Sequence, residues 1–247
     1  MDDLFDFTDY TVMVTGGSRG LGRAMAVGFA RRGARLIIAS RNLAACARCA
    51  DEIAAAGGTA EPFELHTDRW SSLGERAQAA WNIFGGIDVL VNNAGAARID
   101  RASVDVDEGE FDALLAVNLK GPFRLSALLG TRMAQGDGGS IINVSSLGAI
   151  RPLPAYASYA AAKAGLNALT RAHAFEFAPK VRVNAILPGA FETDLASDWT
   201  EERKASIAAA VGRNGHPDDL VTTALYLASK ASGYTTGALI NVDGGRH

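Results

Sequence analysis

The sequence predicts a doubly wound α/β domain built on a seven-stranded parallel sheet flanked by helices. Three observations lead there. Short apolar runs alternate with longer helix-period stretches along all 247 residues, a glycine-rich turn joins the first such run to a helical stretch, and no Pro-rich or Gly/Ser-rich linker divides the chain. The length suits one domain of this kind, spanning residues 1–247.

The first expected strand, Thr11 to Thr15, is β-branched except at Met13 and runs straight into glycines. The helical stretch Leu21 to Arg32 follows. The second strand, Arg35 to Ala39, carries an unbroken apolar center at Leu36-Ile37-Ile38, as a strand covered on both faces does. Ala-rich Leu43 to Ala56 reads as the second helix. Ala60 to Leu65 and Ser72 to Phe84 continue the rhythm as strand and helix, and Asp88 to Val91 is the fourth strand. One long helix is expected over Asp107 to Ala134, then a strand over Ser140 to Val144 and a helix over Tyr156 to Phe177. Val181 to Leu187, Pro217 to Ala231 and Leu239 to Val242 complete the pattern as strand, helix and strand. Ala190 to Arg213 breaks it. A long connection after the carboxyl end of a parallel strand commonly covers a ligand, so residues 190–213 are expected to lie over a substrate.

Charge and composition narrow the partners. Lys and Arg total 24 against 27 Asp and Glu, a net charge of −3, so no basic excess points to nucleic acid or an anionic membrane. The opening Met1-Asp2-Asp3-Leu4-Phe5-Asp6 is acidic where a secretory signal is basic, and no apolar run reaches the roughly 18 residues of a membrane span. A cytoplasmic protein is expected. Cys46 and Cys49 form a C-x-x-C, but no second C-x-x-C or His pair accompanies them, and they read as inert helix packing. His66, His173, His216 and His247 lack metal-ligand spacing, and no metal is expected. There is neither a G-x-S-x-G elbow nor a GK[ST] phosphate loop.

Gly16, Gly17, Ser18, Arg19, Gly20, Leu21 and Gly22 lie between the first strand and its helix. Glycines there let backbone N–H groups approach a pyrophosphate at the positive end of the helix. A fold preferring NAD usually places an acid at the end of the second strand, against the ribose hydroxyls. Here Ser40 stands there, followed by Arg41. Arg19 and Arg41 each precede a helix, where a cation is mildly disfavored, and a 2′-phosphate would relieve both. NADP(H) is the expected cofactor and NAD the alternative, the arginines then being solvated surface groups. Farther along, Tyr159 and Lys163 share a helix face at i, i+4, where an ammonium favors the phenolate. Ser146, just past the fifth strand, has a hydroxyl suited to polarizing a carbonyl oxygen.

The glycine spacing G-x-x-x-G-x-G preceded by Thr15, with Asn92-Asn93-Ala94-Gly95, Tyr159-Ala160-Ala161-Ala162-Lys163, Pro188-Gly189 and Val242-Asp243-Gly244-Gly245, resembles the short-chain dehydrogenase/reductase family along essentially the whole chain. The resemblance implies a Rossmann-type fold and an NADP-preferring, ketoreductase-like enzyme. It implies catalytic roles for Asn118, Ser146, Tyr159 and Lys163, with Asn118 bending its helix to hold a water that links the lysine to solvent. It also implies cofactor contacts from Gly16, Ser18, Arg19, Gly20, Leu21, Gly22, Ser40, Arg41, Asp68 (toward adenine), Asn92, Ala94, Gly95, Tyr159, Lys163, Pro188, Gly189 and Thr193 (toward the carboxamide).

The reaction expected is interconversion of a carbonyl, in a ketone or keto ester, with a secondary alcohol. The rival expectations are an NAD-dependent alcohol or polyol dehydrogenase and a nucleotide-binding redox sensor without turnover. Ala97, Leu147, Leu153, Pro154, Tyr156, Phe191 and Trp199 are the expected pocket residues, with Arg98 and Arg151 leaving room for an anionic group. Because the helices expected over Asp107 to Ala134 and Tyr156 to Phe177 are apolar around much of their circumference, and because members of the family pair these helices, a homotetramer is expected.

Overall fold

A computed structural model describes residues 3–97, 102–193 and 209–246 of the chain. Seven strands form one parallel sheet: β1 (Thr11–Thr15), β2 (Arg35–Ser40), β3 (Thr59–Glu64), β4 (Val89–Asn92), β5 (Gly139–Val144), β6 (Val181–Pro188) and β7 (Leu239–Val242). Their order is β3-β2-β1-β4-β5-β6-β7. The helices are α1 (Gly20–Ala30), α2 (Leu43–Ala55), α3 (Leu73–Phe84), α4 (Glu108–Leu115), α5 (Gly121–Gln135), α6 (Ala157–Glu176) and α7 (Val221–Ala228).

Strand alternation splits the apolar residues into two layers. Val12, Val14, Leu36, Ile38, Val89 and Val91 meet Met25 and Phe29 of α1, Cys46 and Ile53 of α2, and Ala224 and Leu227 of α7. Met13, Ile37, Leu90, Ile141 and Val183 face the opposite way, onto Leu73 of α3, Leu125 and Leu129 of α5, and Ala174 of α6. The chain leaves β1 toward β2 on one side and returns to β4 on the other, so a crevice opens between the carboxyl ends of β1 and β4, where ligands bind in sheets of this kind.

Two expected helices change. Asp107 to Ala134 is not one continuous α-helix, because a π turn over Ala116–Lys120 separates α4 from α5. Pro217 to Ala231 is a 3-10 turn at Pro217–Leu220, the short α7, and a second 3-10 turn at Lys230–Ser232. Arg98, Trp199 and His247, and most of the 190–213 insertion, lie outside the described residues.

Candidate active site

The crevice is held open by Thr15 and Asn93. The Thr15 hydroxyl accepts from the N–H groups of Asn93 and Ala94, both at 3.0 Å, and donates to the Val91 carbonyl at 3.2 Å. The Asn93 side-chain amide donates back to the carbonyls of Thr15 (3.0 Å) and Gly16 (3.1 Å). This bracing explains Gly22, where a Cβ would overlap the Gly16 carbonyl oxygen and the Asn93 amide. No side chain caps the amino end of α1 and no acid lies in its first turn, so its leading N–H groups suit a pyrophosphate. The Thr193 side chain reaches over the same loop, 3.6 Å from where a Cβ on Gly20 would stand. At the far end, the Ser18 hydroxyl donates to that of Ser40 at 3.2 Å; Arg41, next in the chain, is exposed, as is Asp68 past the end of β3. A close-fitting glycine cradle, an uncapped helix end and an exposed guanidinium together fit a dinucleotide carrying phosphates.

The candidate reacting groups come from the end of β5 and from α6. Ser146 follows β5, and its hydroxyl accepts from the N–H of Gly148 at 3.1 Å and is hydrogen-bonded to the phenol of Tyr159. Lys163 lies one turn farther along α6, with its Nζ 5.9 Å from the center of the Tyr159 ring. The ammonium is buried and donates to the Val144 carbonyl at 2.7 Å. Burial brings its pKa down to about 8, so it is still largely charged at neutral pH. The sequence leads one to expect the ammonium to lower the phenol's pKa. Instead burial pushes Tyr159 above its usual range, the bond from Ser146 opposes the rise, and the nearby Tyr156 adds to it, with the two tyrosine ring centers 6.5 Å apart.

Asn118 sits in the π turn, fully buried. Its amide donates to the carbonyls of Ala96 (2.8 Å) and Leu114 (3.0 Å), and its Oδ1 accepts from the Ala96 N–H at 3.3 Å. The wide turn thus points a side-chain amide into the crevice, where a regular helix would carry it past. Gly95 allows the convergence, because a Cβ there would stand 2.9 Å from Asn118 Oδ1 and 3.6 Å from Lys163 Nζ.

A family profile described as enoyl-(acyl carrier protein) reductase matches residues 16–247. The chain is 36% identical over 239 residues to the 3-oxoacyl-(acyl-carrier-protein) reductase FabG of Thermotoga maritima, covering 94% of this chain and 96% of that protein. The chain is a short-chain dehydrogenase/reductase. Within the family it is also 38% identical over 247 residues to the L-rhamnose 1-dehydrogenase (NAD(P)(+)) of Azotobacter vinelandii, covering 96% of each. A solved 3-oxoacyl (acyl-carrier-protein) reductase from Agrobacterium tumefaciens, with NADP bound, superposes with a TM-score of 0.92 at 30% identity, covering 98% of this chain and 96% of that one. Relatives named for a thioester-borne ketone and for a sugar share this scaffold, as expected when the reaction is fixed by the core and the substrate by its surroundings.

Several expected residues of this short-chain dehydrogenase/reductase lie elsewhere. The Asn92 side chain turns into the protein, donating to Ser126 Oγ and Asn143 Oδ1 at 2.9 Å each, so only the backbone of this last residue of β4 borders the crevice. Phe191, expected in the substrate pocket, is buried in the core beside α7 and pairs with Gly215. The Arg151 guanidinium donates to the Arg246 carbonyl, so it ties down the carboxyl-terminal tail. Gly189 faces the same tail, its N–H donating to the Val242 carbonyl at 3.0 Å. Sequence reading assigned no role to Thr15 or Asn93, although strand alternation already places Asn92 and Asn93 on opposite sides. Ser145 is buried and donates to the Lys163 carbonyl at 3.3 Å, which fixes the catalytic helix against β5. Among the described residues no cluster of metal ligands forms and no helix is long and apolar enough to cross a membrane.

Proposed function

We propose that the chain uses NADP(H) to interconvert a ketone or keto ester and a secondary alcohol, and that it acts as one catalytic unit. The observation that carries this reading is the meeting of Ser146, Tyr159 and Lys163 beside the phosphate loop. A nicotinamide, when bound, supplies or accepts the hydride. In the reducing direction Ser146 Oγ–H donates to the substrate carbonyl oxygen and draws electron density toward it. Tyr159 Oη then gives its proton to the developing alkoxide. Burial keeps that phenol protonated at neutral pH, the form reduction needs. As the proton leaves, the Lys163 ammonium stabilizes the phenolate. Its Nζ, 5.9 Å from the center of the ring, is near enough to attract that developing negative charge. Asn118 Oδ1, near the ammonium across Gly95, is placed to hold a water that resupplies the proton.

Preference for NADPH is supported by Ser40 at the end of β2, where an NAD-preferring fold carries an acid, and by Arg41 directly after it. A tetramer is supported by the apolar residues Phe111, Phe123 and Phe175 exposed on α4, α5 and α6. Turnover of simple ketones, keto esters, sugars and enoyl thioesters with NADPH and with NADH tests the reading. Ketone reduction with NADPH is expected, and Tyr159→Phe should lower the rate by about 100- to 10,000-fold while cofactor affinity stays within a few-fold. Reduction of enoyl thioesters alone, or cofactor binding without turnover across the panel, would overturn it.

A further inference from the structure

The C-x-x-C on α2 takes no part in the steps above, yet both thiols face the nucleotide end of the sheet. Cys49 Sγ is directed at the Gly17 carbonyl, 3.6 Å away, and Cys46 Sγ lies 3.0 Å from Ser40 Oγ. Ser40 is the last residue of β2 and holds the place where an NAD-preferring fold carries its acid. Its oxygen already accepts from the Ser18 hydroxyl and from the Asn42 N–H, at 3.2 Å each. A hydroxyl has two lone pairs and one proton, and with both lone pairs engaged only the direction of the proton is open. Within the protein two acceptors compete for it: the Asn42 carbonyl at 3.2 Å and the Cys46 sulfur at 3.0 Å.

These two acceptors differ in kind. A carbonyl only accepts, whereas a thiol accepts or donates. With the Ser40 proton turned inward, sulfur receives it and the thiol proton points toward the Phe63 carbonyl, 3.9 Å away. With the Ser40 proton turned outward to an anion, and the Ser18 hydroxyl rotated onto the same anion so that a lone pair of Ser40 is freed, the thiol can swing its own proton onto the Ser40 oxygen. A phosphomonoester accepts only, so it needs the outward arrangement. A ribose hydroxyl donates as readily as it accepts and is indifferent to the choice.

We propose that Cys46 is a specificity-determining residue of the nucleotide site, backing the Ser40 hydroxyl from the core so that it donates to a 2′-phosphate beside Arg41. The proposal rests on the NADP(H) reading and adds a residue that reading does not use. It gives the buried cysteine a polar task, where the spacing had suggested inert packing.

Calorimetric titration with adenosine 2′,5′-bisphosphate and with adenosine 5′-monophosphate, which differ only in the 2′-phosphate, tests it without turnover. Cys46→Ala should weaken the bisphosphate about 3- to 10-fold and leave the monophosphate within twofold. Cys46→Ser should restore the bisphosphate affinity. Cys46→Val, which leaves no void and carries no polar atom, should match alanine, which keeps the result independent of any loosening of α2. In a Ser40→Ala background Cys46→Ala should add nothing, because the two act as one unit. Equal weakening of both nucleotides, or none, would overturn the role of Cys46. A wild-type protein binding both nucleotides equally would overturn the NADP(H) reading and this proposal with it, whereas 2′-phosphate selectivity undiminished by Cys46→Ala would overturn the proposal alone.

Discussion

Asn143 of β5 and Thr170 of α6 share a buried hydrogen bond of 2.9 Å from the asparagine amide to the threonine hydroxyl. Asn143 Oδ1 accepts from Asn92, whose amide also reaches Ser126 on α5, and the Thr170 hydroxyl passes its own proton to the Leu166 carbonyl at 2.8 Å. A polar chain thus links β4, β5, α5 and α6 directly behind the crevice, inside the apolar layer. Together with Ser145 and Val144 gripping Lys163, it sets the distance between β5 and the helix that carries the phenol.

Thr170→Val keeps the shape of the side chain and removes the acceptor. The Asn143 amide is then left unsatisfied in a buried site, so stability should fall by about 1 to 3 kcal/mol. Urea unfolding checks this, and a midpoint equal to wild type would show that the amide finds another partner.

Arg41→Ala should raise the KM for NADPH about 10- to 150-fold, the equivalent of one charge-assisted phosphate contact, and leave NADH nearly unaffected. Steady-state kinetics with both cofactors reads the outcome. Equal loss for the two would remove Arg41 from phosphate recognition.

Stability should depend on pH through Lys163, whose pKa falls from 10.5 to about 8 on folding. Between those values the unfolded chain holds a proton that the native chain has lost, so this group makes stability rise with pH. Below about pH 8 both states are protonated and the burial penalty is present in full. Cys49 works in the opposite sense. Burial raises it from 9.0 to about 11, and above pH 9 the unfolded thiol ionizes first. Comparison with Lys163→Met isolates the lysine: the stability difference between the two proteins should change by up to about 3 kcal/mol from pH 8 to 10.5, in favor of wild type as pH rises. A difference constant with pH would contradict the buried-ammonium assignment.

Phe175 is 86% exposed on α6, and Phe123 stacks between Trp70 and His173 with one edge in solvent. Sedimentation equilibrium should show four chains associated at micromolar concentration, and Phe175→Asp should shift the distribution toward smaller species. A single chain at all concentrations would exclude assembly, while a dimer would retain the helix face and remove any contact made by the tail.

The inner strands were legible because they are buried on both faces and read as apolar runs; β1 has the bounds expected from sequence, as does the more exposed edge strand β7. The edge strand β3 was displaced by one residue, since Thr-Ala-Glu-Pro-Phe-Glu has neither an apolar run nor clean alternation. The π turn was hidden because Ala116-Val117-Asn118-Leu119-Lys120 continues the helical pattern on both sides. Its cause is a tertiary bond from Asn118 to Ala96, 22 positions away. Phe191 shows the opposite limit: an apolar side chain suits a core and a pocket equally, and only the glycine opposite it, Gly215, determines which. The sequence motifs mark positions along the chain, and the direction of each side chain comes from the packing around it.

The strand order has a consequence for synthesis on the ribosome. β1 gains β2 as soon as α1 is complete, but its other edge waits for β4, which arrives only after β3 and α3. Until then the nascent chain carries an open, apolar strand edge, the template for wrong pairing between molecules. The bracing that shapes the nucleotide crevice joins residues 78 apart, Thr15 to Asn93, so it cannot exist before that edge is closed. Nucleotide can therefore stabilize only chains already past this hazard, and early folding depends on the amino-acid sequence alone.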